Sequence, residues 1–573
     1  MQKCQVDKLQ VEWQGTVLAV DTETVSLKDK TLLGVSICDG VNAYYFSTEK
    51  FRIDKLIQFL KPILEGEYTK VFHNAKFDLA VFRNYGLTVN NFEDTLILSW
   101  LCETGRRKKF GLKELAKDIL DAEVVTLKDI GFTGDTSLVN KEQLADYAMD
   151  DVIYTYKLYK KFRPKIKGAI EQNYLKIELP IVEILSKMEA RGITVDIDKL
   201  ETLNIEMGVA TAKMYEDLVL AMIKEGYHPG GKKHVSPNSP LQVVNFLAHL
   251  GIHTDSSDRK TLSKIKHPWV AQLLKYKKDF KLYSTYVHNL LPEIKENHNK
   301  LKGSFSQTGT DTGRFSSSQP NLQNLPAHDD YEYRSIFIAS PQKVLLVADY
   351  SQIELRTLAH LSKDKQMIDY FLAGYDLHSA TAHGMYKLDC PIEEVKDKYP
   401  EVRFKAKAIN FGLIYGMGPA SLGEQIGVSE REAKKLIAAY FQQFPSIQEY
   451  IGQIQQFALD RGYVTTIFGR KRYFPEVFAD SETRRQAYGS IMRRAINTKI
   501  QGSAADIMKA AMVKVDALGV DILLQVHDEI VMEVDEDTDI LKLVKETMEN
   551  AVKQFRVPLV VDIKKCTNWL AGK

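Results

Sequence analysis

Residues 344–356 read VLLVADYSQIELR, and residues 521–534 read DILLQVHDEIVMEV. Each carries an aspartate, Asp349 or Asp528, at the end of a continuous apolar run. Runs of this length, rich in Val, Leu and Ile, are strands with both faces buried. An ionised carboxylate is costly in such a place unless it is paired or holds a metal. Two of them, far apart in sequence, point to one site for divalent cations, and carboxylate sites holding two cations serve phosphoryl transfer. The pattern puts Asp349 at a strand end leading into the helix of Glu354, and Asp528 at the bend of a hairpin.

The 573 residues exceed a single core and predict several domains. A net charge of +2 does not force a nucleic-acid partner, so any basic surface has to be local. Cys4, Cys38, Cys102, Cys390 and Cys566 form no CxxC pair, which predicts a reducing compartment without disulfides or zinc. No apolar run approaches the ~18 residues of a membrane span, and MQKCQVDKLQVEWQ lacks the apolar core of a signal peptide. The expectation is an intracellular, soluble protein. It would lie in the cytoplasm of a bacterium or a phage-infected host, or in an organelle after removal of a targeting segment.

Residues 1–165 alternate strand-like stretches (16–23, 32–40) with helical ones (55–66, 141–162), an α/β pattern. Composition shifts near KFRPKIKG (161–168). Residues 169–300 read as mostly helical, with a polar interruption at 226–240. The stretch GSFSQTGTDTGRFSSSQPNLQNLP (303–326) has, by composition alone, the character of a flexible linker. A long helical middle follows at about 378–460.

Asp21 and Glu23 end the run Thr16–Val20; residues two apart on a strand face one side, so both carboxylates enter one site. HNAKFD (73–78) adds Asp78. Tyr147 and Asp151, i and i+4 in YAMDD, share a helix face. Alone, each acid is usually a cap or a solvated side chain. The ordered set DTET, HNAKFD, YAMDD resembles the 3′–5′ proofreading exonucleases of the DEDDy type over about 1–165. That resemblance implies a ribonuclease H-like mixed sheet with helices, metals on Asp21, Glu23, Asp78 and Asp151, and a water oriented by Tyr147. Asn74 and Phe77 complete the second motif, with Asp94 a weaker candidate.

In RFKAKAINFGLIYG (403–416), Arg403, Lys407, Phe411 and Tyr415 recur every four residues, a stripe about 18 Å long on one helix. Two cations suit a triphosphate and two aromatics a base or sugar, although the stripe alone fits an ordinary amphipathic helix. With DYSQIELR, QVHDEIV, TGRFSSSQPNLQNLP, FGRKRYFP and IQGSAADIMKAAMVK, this segment resembles the family A DNA polymerases from about 170 to 573. The resemblance implies two metals on Asp349 and Asp528, a triphosphate gripped by Arg403, Lys407 and His378, and Lys407 as proton donor to pyrophosphate. Phe411 would lie at the nucleotide sugar, Tyr415 beside the template pocket, and Glu354 would exclude a ribose 2′-hydroxyl. Glu529 adjoins the second metal aspartate. Arg314, Asn321, Gln323, Asn324, Asn497 and Gln501 would meet the primer–template, whose minor-groove acceptors occur on every base pair.

The expected fold is an α/β exonuclease domain (1–165) followed by an α+β right hand (166–573). Its thumb would be about 169–300, palm 301–385 and 485–573, and fingers 386–484. Expected cofactors are Mg2+ ions, two per active site, with Mn2+ able to substitute; expected partners are primer–template DNA and dNTPs, for a monomer touching no membrane. A 5′-nuclease domain is expected to be missing. Phe404-Lys405 departs from the family pattern, and Phe411 in place of Tyr predicts discrimination against dideoxynucleotides. Two rivals are a nuclease whose second half only binds DNA, tested by primer extension with Asp349→Asn, and a non-catalytic scaffold, tested by an activity assay on a primed template.

Overall fold

The computed structural model describes residues 1–230, 234–326 and 330–572, so 231–233 of the expected polar interruption lie outside the described residues. The N-terminal unit is built on a six-stranded mixed sheet ordered Gln2–Cys4, Asn42–Ser47, Leu32–Cys38, Val17–Thr24, Thr69–Phe72, Phe92–Asp94. Val17–Thr24 runs antiparallel to Leu32–Cys38 and parallel to Thr69–Phe72. The helix Lys141–Phe162 is opened by Asn140, whose side chain accepts from the Glu142 and Gln143 amides. Its Met149, Val152 and Ile153 recur at helical spacing and pack on Ala19, Cys38 and Val71 of the sheet. That packing carries Tyr147 and Asp151 over the strand bearing Asp21 and Glu23.

The C-terminal half is organised by a four-stranded antiparallel sheet, ordered Asp521–Val526, Glu529–Asp535, Lys343–Tyr350, Val561–Cys566. The C-terminal part of the 36-residue helix Ser481–Asp516 and the helix Leu541–Glu549 cover it in one apolar core. Both aspartate runs are strands buried on both faces, as their composition requires. The helical middle is a succession of short helices, among them Leu377–Tyr386, Pro400–Ile414, Pro419–Ile426, Glu430–Gln443 and Pro445–Arg461. Proline opens three of these five, because it cannot continue a preceding helix but fits the first turn of a new one.

The helix Ile197–Lys224 carries a separate small core with Phe246, Trp269 and Leu273. Residues 169–191, the start of the expected thumb, pack against both halves. Tyr174, Leu179 and Val182 join the core of the N-terminal unit, and Ile181, Ile184 and Leu185 join that of the four-stranded sheet, so this segment seals the two halves together. The seal extends to Trp100 of the N-terminal unit, whose ring lies 4.9 Å from Lys509 Nζ and 5.2 Å from the Arg470 guanidinium. Both cations are buried in ion pairs, Lys509 with Glu178 and Arg470 with Asp506. Among the described residues no helix is long and apolar enough to cross a membrane.

Candidate active sites

Asp349 lies opposite Glu529 in the four-stranded sheet, and the Tyr350 amide donates to the Asp528 carbonyl at 3.0 Å. The two aspartates are thus neighbours on adjacent chain segments. Asp528 sits in the two-residue turn between strands Asp521–Val526 and Glu529–Asp535, where His527 takes a left-handed φ of 56°. A non-glycine residue there is strained and persists only if its surroundings hold it. Gln323 is one such brace: its Oε1 accepts from the His527 amide at 3.1 Å and its Nε2 donates to the Gln525 carbonyl at 3.0 Å.

Glu354 is buried and bridges two partners. Tyr415 donates to its Oε2 at 3.0 Å, and Arg314 pairs with its Oε1 while lying 3.6 Å from Asp528 Oδ1. Arg314, expected against DNA, therefore also stands within the carboxylate site. Glu529 does not face that site with a free carboxylate: Trp569 Nε1 donates to its Oε1 at 2.6 Å, and Arg334 lies 3.7 Å away. Glu529, which adjoins Asp528 in sequence and faces Asp349 across the sheet, is thus held by Trp569 and Arg334.

Arg403, Lys407 and Phe411 share the helix Pro400–Ile414, whereas Tyr415 caps its end rather than continuing it. The stripe still holds, with the Phe411 and Tyr415 rings stacked at 6.3 Å. Lys407 is exposed and Arg403 is bound to Asp376. His378, expected to grip the triphosphate with Arg403 and Lys407, lies beside their helix. It is buried against Phe411, its Nδ1 meets Asn410, and burial lowers its pKa to about 4, so the ring is neutral at pH 7. Asn321 caps a short turn through the Gln323 amide, and Asn324 is exposed. Asn497 and Gln501 lie one turn apart on the long helix, and Asn497 Oδ1 is buried without a hydrogen-bond partner.

In the N-terminal site, Asp78 accepts from the Thr22 amide and hydroxyl at 3.0 and 2.7 Å, tying it between Asp21 and Glu23. Burial and then the repulsion of Asp78, Glu23 and Asp151 push Asp21 well up. Burial and Asp151 raise Glu23 to about 8. Asp78 and Asp151 are raised by burial to about 7 and about 6. Asp94 is placed elsewhere: it accepts from the amides of Asn74, Ala75 and Leu96, a structural cap. Lys113, which no motif singled out, pairs with Asp151 and stands 3.9 Å from the Tyr147 ring. It is a cation among four crowded carboxylates, and the field they create lowers in its presence. Among the described residues no three His, Cys, Asp or Glu side chains stand arranged as a finished metal cage. The donor chemistry nonetheless fits a hard divalent cation, since all-oxygen ligands that raise one another's pKa are stabilised by one.

Comparison with known proteins supports both halves. Residues 210–571 match the family model for DNA polymerase family A, and residues 5–167 that for 3′-5′ exonuclease. DNA polymerase I of Rhizobium leguminosarum is 35% identical over 544 residues, covering 89% of this chain and 52% of the relative. The thermostable DNA polymerase I of Thermus filiformis is 36% identical over 449 residues, covering 75% and 52%. The chain spans about half to two thirds of the length of such curated relatives. Among solved structures, the POL domain of Pol1 from M. smegmatis, in complex with DNA primer-template and dNTP, superposes with a TM-score of 0.83 at 29% identity. The match covers 97% of this chain and 96% of that one.

Proposed function

Because the chain belongs to the family A DNA polymerases, we propose that it copies a DNA template from dNTPs and excises misincorporated 3′ ends with its own N-terminal exonuclease. The observation that carries this reading is the meeting of Asp349 and Asp528, from segments far apart in sequence, on adjacent chain segments of the palm sheet. Asp349 and Asp528 would hold two Mg2+ ions, as would Asp21, Glu23, Asp78 and Asp151, with Mn2+ able to substitute. Bound there, such ions lower the pKa of the attacking hydroxyl or water and offset the charge of the phosphoryl group.

The protein's own groups do the rest. Arg403 and Lys407 bind the triphosphate, and Lys407 gives a proton to the leaving pyrophosphate. His378, neutral, contributes a hydrogen bond rather than charge. Phe411 packs on the sugar, and Tyr415 borders the template pocket. Glu354, held by Arg314 and Tyr415, blocks a 2′-hydroxyl. Arg314, Asn321, Gln323, Asn324, Asn497 and Gln501 face minor-groove acceptors common to all pairs, checking geometry rather than sequence. In the other site Tyr147 orients the water. The working division is exonuclease 1–165 and polymerase 166–573, acting as a monomer on primer–template in a reducing, intracellular compartment.

Primer extension with and without dNTPs in Mg2+ reads both activities. Asp349→Asn should abolish extension and leave excision, and Asp21→Ala with Glu23→Ala should do the reverse. Extension by the first variant sinks the assignment of Asp349; loss of both activities in the second sinks the division into domains.

A further inference from the structure

The guanidinium of Arg403 is engaged as a two-pronged fork. Its Nε and Nη2 donate to Asp376 Oδ2 and Oδ1 at 2.8 and 3.1 Å. Paired donors of this geometry meet a carboxylate or a phosphate equally well. Asp376 is itself fixed by other contacts. It accepts from the Ser379 amide and hydroxyl at 2.8 and 2.7 Å, capping the helix of His378, and from Gln352 Nε2 at 3.1 Å. Gln352 lies two residues before Glu354 with a left-handed φ of 52°. Asp376 thus joins three parts of the site: the turn after Asp349, the helix of His378 and the helix of Arg403. Burial opposes its charge, but hydrogen bonds from Arg403 and Ser379 prevail and hold its pKa at about 2, so it is ionised.

We propose that Asp376 is an internal stand-in for the nucleotide's phosphate, occupying the Arg403 fork and setting dNTP affinity by having to be displaced from it. The proposal rests on the reading of Arg403 as a triphosphate ligand. One fork cannot donate the same pair of bonds to two oxyanions, and an ionised carboxylate beside it repels a triphosphate. The side chains are 25% and 30% exposed, so the exchange needs no opening of a core. Lys407, one turn along, is exposed and in no ion pair among the described residues, which leaves it available to the incoming phosphates.

The test is dNTP kinetics of the full chain on a primed template. Asp376→Asn keeps the helix cap, since Asn and Asp cap equally well. It should lower the dNTP KM about three- to tenfold, the scale of a partly exposed ion pair. Pyrophosphate should become a stronger product inhibitor by a similar factor. Asp376→Ser, a second capping variant, should behave alike. Arg403→Ala should raise KM, and in that background Asp376→Asn should change nothing further. An unchanged or raised KM in both Asp376 variants overturns the proposal while the reading of Arg403 stands. So does a decrease of equal size in the Arg403→Ala background, which assigns the effect to charge alone. If Arg403→Ala leaves KM unaltered, the phosphate reading of Arg403 fails, and the proposal with it.

Discussion

At the scale of single residues, the structure redistributes tasks among side chains of like chemistry. Gln323 braces the strained His527 turn that aims Asp528. Gln323→Ala should therefore lower kcat about tenfold, with little change in the affinity for primer–template, because misaiming a reacting group costs on that order or more. Weakened DNA binding at unchanged kcat would mark Gln323 as a groove contact alone. The carboxylates of the N-terminal unit set a pH dependence. Burial raises Glu23 to about 8, Asp78 to about 7 and Asp151 to about 6. The native state then keeps protons that the unfolded chain has released above the ordinary range of 3.8 to 4.5. Stability from this source is complete below that range and is lost as pH rises through about 6 to 8. With a chelator present, the melting temperature should fall across that window, and Asp21→Asn with Glu23→Gln should flatten the fall. A flat profile in the parent chain contradicts the crowding of charge. Asp21 and Asp349 were legible because a carboxylate in an apolar strand stands out, whereas Asp78 and Asp151, on helices, stood out only through the order of their motifs. Lys113 and Asp376 were not legible, since a lysine or aspartate near a helix start looks like any solvated residue until its partner is in place.

At the scale of elements, the long helix Ser481–Asp516 is held by a charge where an apolar residue would be ordinary. Lys509 Nζ lies 2.9 Å from both oxygens of Glu178, and neither side chain is exposed. Lys509→Met should destabilise the protein by about 3–5 kcal/mol, because it leaves Glu178 buried and uncompensated. Lys509→Met with Glu178→Leu should recover most of that loss in urea unfolding; no recovery would mean that the pair's packing, rather than its charge, matters. Helix identity followed from periodicity and caps, as in Lys141–Phe162 behind Asn140. The proline-led division of 400–461 was also written locally, yet the apolar and basic pattern running across it read as one long helical stretch. Tyr415 falls just past the helix that its four-residue spacing implied, because Gly416 turns left-handed there, with φ 67°.

At the scale of the molecule, the N-terminal and C-terminal units share one buried seam. Trp100 is 1% exposed in the N-terminal core and lies beside Lys509 and Arg470 of the other half. Trp100→Ala should cost about 3–5 kcal/mol and separate the melting of the two halves into distinct calorimetric transitions. A single transition shifted as a whole would show that segment 169–191 suffices to couple them. The sequence by itself determined the strand and helix types, the carboxylates that close apolar strands and the order of the units, because burial, periodicity and capping act within a few residues. Only the tertiary structure decided that Glu529 serves Trp569, that His378 is neutral, that Arg403 is held by Asp376 and that 169–191 joins the halves. Each of these depends on desolvation and on partners that meet across tens or hundreds of residues, and no local pattern encodes which of many similar side chains will be brought together.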